Sequence, residues 1–138
     1  MDIYVFGNQL APCDHLPFDL LPSLENLFPM HRFIVSDPNE DLLPPLDQPW
    51  IIIDTVVGIA DVTVFTSVET FAMSPQISPH DYDLGFHLKL LQKIGQLREI
   101  AIIGIPPQLS QQTALEKVKK AISDISMVGL AEAKQETV

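Results

Sequence analysis

The run Trp50-Ile51-Ile52-Ile53, cut off sharply by Asp54-Thr55, constrains this chain more than any other feature. It has no polar alternation, so both faces of the strand it forms must be covered. Strands of that kind are central strands of parallel sheets with helices packed on the sheet. The run is also far too short to cross a bilayer. Other apolar runs fit the same sheet. Ile3-Tyr4-Val5-Phe6 stops at the breaker pair Gly7-Asn8, and Arg32-Phe33-Ile34-Val35 ends at Ser36-Asp37-Pro38. Val62-Thr63-Val64-Phe65 alternates, as an edge strand would, and Glu99 to Gly104 reads as a last buried strand.

Between these runs the spacing becomes helical. Leu20, Leu21, Leu24, Leu27 and Phe28 predict a helix over 20–28, with Pro22 tolerated only in its first turn. Ser78-Pro79-His80-Asp81 is a helix start: a capping serine, a proline at the first helical position, and an acid three residues after the cap. Leu84, Leu88, Leu91 and Ile94 give its apolar stripe, and Gly95 suits its C-terminal cap. A second capping box, Thr113 to Glu116, predicts a helix with Leu115, Val118, Ile122 and Ile125 on one face. The order β-α-β-β-β-α-β-α predicts an α/β fold with a mostly parallel sheet of about five strands. The 62–65 strand is expected to be the antiparallel exception.

The 138 residues make one domain, 1–138, with a polar tail from 131 to 138 expected to fray. The proline-rich, acidic stretch 37–49 reads as a surface loop. Eighteen acidic residues against eight basic ones give a net charge of −10. That balance argues against nucleic acid, which needs a basic surface, and against an anionic membrane. A single cysteine, Cys13, excludes an internal disulfide and makes a reducing, cytoplasmic setting the expectation. No basic segment leads into an apolar one, so no signal peptide is expected.

Ligands of open α/β sheets bind at the carboxyl ends of the strands. The reactive residues expected there are Asp14 in the loop after the first strand, Asp54 at the end of the central one, and His80 in the first turn of a helix. A histidine at a helix N-terminus is disfavoured in its charged form, and a neutral imidazole is what a metal needs. Two carboxylates and an imidazole suit a borderline divalent ion. His15, His31 and His87 compete as ligands. Cys13-Asp14-His15 invites a thiolate nucleophile or a zinc site, but a lone cysteine lacks the paired ligands zinc sites use. Dinucleotide, Walker, nucleophile-elbow and zincin motifs are all absent.

In this arrangement the sequence resembles the hydrogenase maturation endopeptidases over residues 3–107. Gly7-Asn8 is similar to the family's glycine–asparagine turn, and Asp14 stands six residues on, at the place of an acidic metal ligand. The strand ending in Asp54, then Gly58 and Val62-Thr63-Val64, resembles the second acidic ligand and the next strand. Ser78-Pro79-His80 leading through Asp83-Leu84 resembles the histidine ligand and its helix, and Ile103-Gly104-Ile105-Pro106-Pro107 the late strand and turn. The resemblance implies a three-layer α/β/α sandwich. It implies removal of a C-terminal peptide from a nickel–iron hydrogenase large-subunit precursor after nickel insertion. It also implies that Asp14, Asp54 and His80 contact a nickel ion carried by the substrate, with no organic cofactor. Asp14 and Asp54 would be the catalytic carboxylates, and Gly7 and Asn8 would bind substrate. The chain departs from the family at Val5, at Cys13-Asp14-His15, and at Ala60-Asp61, where a proline–glycine turn is usual.

Two other readings stay open. One is a non-catalytic metal-sensing or chaperone relative on the same fold. The other is a small-molecule-binding domain whose three side chains lie too far apart to share an ion.

Overall fold

The computed structural model describes residues 1–6, 15–36, 45, 48–67, 84–93, 95, 99–128 and 136–137. Strands β1 (Asp2–Val5), β2 (Arg32–Val35), β3 (Trp50–Thr55), β4 (Thr63–Phe65), β5 (Ile100–Ile105) and β6 (Glu136–Thr137) form one sheet in the order β2-β1-β3-β5-β4-β6. β1 pairs in parallel with both β2 and β3, and β3 in parallel with β5. β4 runs antiparallel to β5 and to β6. The fold is therefore α/β with a mostly parallel sheet, and β4 is the antiparallel strand, as its short link to β3 leads one to expect. The expected fraying of residues 131–138 does not extend to Glu136–Thr137, which pair with β4 and take the edge position from it.

Three helices are described: α1 (Leu16–Leu27), α2 (Leu84–Lys93) and α3 (Gln111–Val128). The apolar run works as its composition demands, because alternate residues of β3 enter two different cores. Ile51 and Ile53 join Ile3, Val5, Leu20 and Leu24 of α1 and Val118 and Ile122 of α3. Trp50 and Ile52 join Phe6, Phe65, Ile102 and, from α2, Leu88 and Leu91. Trp50 stands edge-on to both Tyr4 and Phe6, with ring centroids 6.2 and 6.5 Å away.

Two helix starts differ from the expectation. α1 begins at Leu16, not Leu20, because Pro17 supplies the first-turn proline. Pro22 then lies inside the helix, where its missing N–H costs about 3 kcal/mol. Burial of the stripe Leu16, Leu20 and Leu24 opposes that cost. α3 is capped by Ser110 rather than Thr113. The Thr113 N–H donates to Ser110 Oγ at 3.2 Å, and Ser110 Oγ donates to Thr113 Oγ1 at 2.9 Å. Thr113 is thus the third helical residue and no cap. The Ser78–Asp81 helix start lies outside the described residues. Gly95 does take the left-handed conformation expected of a cap, with φ of 76°.

His31 ties three elements together at the far edge of the sheet. The Met1 amino group donates to its Nδ1 (3.2 Å), its Nε2 contacts Ser126 Oγ (3.1 Å), and its ring stacks on Phe28. Ser126 spends its own proton on the Ile122 carbonyl at 2.8 Å, so Nε2 carries the hydrogen and Nδ1 is bare. Burial first, and the amino group's charge second, hold His31 below its ordinary pKa. The unfolded chain therefore binds this proton more readily than the folded one, which sets the sign of the effect. Stability contributed by neutral His31 is present above about pH 6.5, the unfolded value, and is lost as pH falls towards the lower folded value. Urea unfolding at pH 7.5 and 5.5 should show the loss, and His31→Gln should remove that part of the slope.

Candidate functional site

The chain path defines where a ligand can bind. From β1 it goes through α1 to β2 on one side, and then returns past β1 to β3 on the other. The strand order thus reverses between β1 and β3, and the crevice above their carboxyl ends is the binding place of open α/β sheets. Val5 lies opposite Ile53, and the Phe6 N–H donates to the Ile53 carbonyl at 2.9 Å. The last described residue of this segment, Phe6, therefore lies beside the carboxyl end of β3.

Asp54 occupies the end of β3, half-buried, opposite Gly104 of β5. By strand alternation it shares the face of Trp50 and Ile52, on which Leu88 and Leu91 of α2 pack. The Thr55 N–H donates to Asp54 Oδ1 at 2.8 Å, which fixes one carboxylate oxygen against its own backbone. The neighbouring Thr55 hydroxyl is buried and has no hydrogen-bond partner among the described residues. Gly7, Asn8, Asp14 and His80, the other expected site residues, lie outside the described residues, as does Cys13.

The competing histidines are placed as follows. His15 is the residue before α1, and its Nδ1 lies 2.6 Å from Asp19 Oδ2 in the first helical turn. His31 is engaged in the contacts given above. The side chain of His87 lies outside the described residues. Among the described residues no group of three His, Cys, Asp or Glu side chains is placed to hold a metal. None of the described helices is long and apolar enough to cross a membrane.

The segment after Asp54 is anchored more firmly than its sequence suggests. The Val56 N–H donates to the Ile105 carbonyl at 3.0 Å, and Gly58 turns the chain with φ of 90°. Gln108 Nε2 donates to the Ile59 carbonyl at 3.1 Å. The Asp61 carboxylate accepts the Val62 N–H at 2.9 Å and pairs with Lys117 of α3. The bond to Lys117 is the largest influence on Asp61 and holds its carboxyl below the usual range, against the opposing effect of burial. Sequence reading missed this pair. Its members are 56 residues apart, and in the sequence Lys117 reads only as part of the close set Lys117, Lys119 and Lys120.

No protein-family model matches the chain, and no curated protein or solved structure matches it either.

Proposed function

We propose that this chain is a hydrogenase maturation endopeptidase, which removes a C-terminal peptide from a nickel–iron hydrogenase large-subunit precursor once nickel has been inserted. The observation that carries the reading is the place of Asp54: a half-buried carboxylate on the central strand, beside the point where the strand order reverses. A second acid, Asp14, follows β1 in the sequence, and His80 precedes α2, whose Leu88 and Leu91 pack on the face Asp54 shares.

In this reading the nickel belongs to the substrate and acts as a checkpoint. Asp14, Asp54 and His80 contact it, and the contact brings the scissile peptide over the strand ends. Hydrolysis adds water across one amide bond. The water is activated either by the ion or by a carboxylate acting as general base. A location in the cytoplasm, where such precursors are made, belongs to the same proposal. Reconstitution from purified components tests it: the nickel-loaded precursor should lose its C-terminal peptide on incubation with this protein. The Cys13-Asp14-His15 loop favours a second reading, a relative that binds the metal without cleaving. That reading expects nickel binding with an intact precursor.

A further inference from the structure

Residues 56–62 leave the end of β3, pass over the carboxyl end of β5, and enter β4 on its far side. They therefore form a wall at the carboxyl end of β5: Val56 packs on the face that Asp54 shares, and Val62 on the opposite face, where α3 lies. The wall is held at its start by Ile105, in its middle by Gln108 and at its end by Lys117. The first two are single hydrogen bonds from neutral groups. The third is an ion pair with side chains only 31% and 26% exposed, and one of its partners also binds the wall's own backbone at Val62.

We propose that Lys117 is a positioning residue: through Asp61 it fixes the 56–62 wall, and so the setting of the Asp54 carboxylate two residues before it. The charged pair does the work a rigid turn would do. Neither Ala60 nor Asp61 restricts the backbone as proline does, so the turn depends on its contacts. The catalytic part of this inference rests on the endopeptidase reading, whereas the structural part does not.

The test uses the full chain with Lys117→Met, Asp61→Asn and Lys117→Arg. Asparagine keeps an acceptor for the Val62 N–H but loses the charge. Hydrogen exchange of the Val56 and Val62 amides should speed up about fivefold in K117M and D61N, the factor a partly buried ion pair supplies. The amides of β1 and α1 should keep their wild-type rates, and K117R should restore the wall. In the processing assay K117M should lower kcat with KM for the precursor little changed, and K117R should recover it. Wild-type exchange at Val56 and Val62 in K117M would overturn the inference. So would equal acceleration of every amide, which is what a general loss of stability gives. If the wild-type protein processes no precursor, the endopeptidase reading fails while the exchange result still decides the anchoring.

Discussion

Asp54→Asn is expected to reduce processing of the nickel-loaded precursor by about a hundredfold or more, the range lost when a positioned acid–base group is removed. The fold should survive. Asp54 is half-buried at a strand end, and an asparagine oxygen can still accept the Thr55 N–H that Asp54 Oδ1 now accepts at 2.8 Å. Asp54→Ala loses that hydrogen bond as well, at a cost of about 1 kcal/mol. The two variants therefore separate the carboxylate's chemistry from its local structural role. Both should reduce processing to that extent, and only the alanine variant should show a lower urea midpoint. Wild-type turnover in D54N would remove Asp54 from the site.

Gly104→Val should give the largest loss of stability near the site. Gly104 lies on β5 between Asp54 on one side and Thr63 on the other. A Cβ added there would stand 2.8 Å from Val56 Cγ2 and 3.0 Å from a ring carbon of Phe65. Val56 is fully buried and its N–H is bonded to Ile105, while Phe65 is 2% exposed, so neither can step aside freely. Overpacking of this kind costs about 1–3 kcal/mol for small additions, and valine should reach the upper end. Gly104→Ala should lie at the lower end. Because Val56 begins the wall beside Asp54, the exchange of the Val56 amide should rise more than that of Ile3 or Tyr4 on β1. Urea unfolding with residue-resolved exchange measures both. A wild-type midpoint for G104V would show that the close approach at Gly104 is unimportant.

How legible the fold was depends on the range of the interactions that set each element. The Trp50–Ile53 run could be assigned to a central parallel strand because continuous apolarity over four residues leaves no face for water. β4 could be marked as the antiparallel strand because too few residues separate it from β3 for a crossover. Helix starts were less legible. Pro17 and Pro22 both offer a first-turn proline, and only the burial of Leu16 in the core decides for Pro17. Ser110 and Thr113 are both capping residues, and the choice between them follows from where β5 releases the chain. Asp54 stands out in the sequence because a carboxylate directly after a buried strand is poorly placed for solvent, although aspartate is also a common turn cap. The Asp61–Lys117 pair does not, because no local pattern joins a loop residue to a helix residue far along the chain.

The intact mass of a hydrogenase large-subunit precursor after incubation with this protein tests the central claim most directly. Four samples suffice: nickel-loaded precursor with wild-type protein, with His80→Ala and with D54N, and nickel-free precursor with wild-type protein. The account predicts loss of a C-terminal peptide in the first sample only. An unchanged mass in all four, from a correctly folded protein and a loaded precursor, would contradict it.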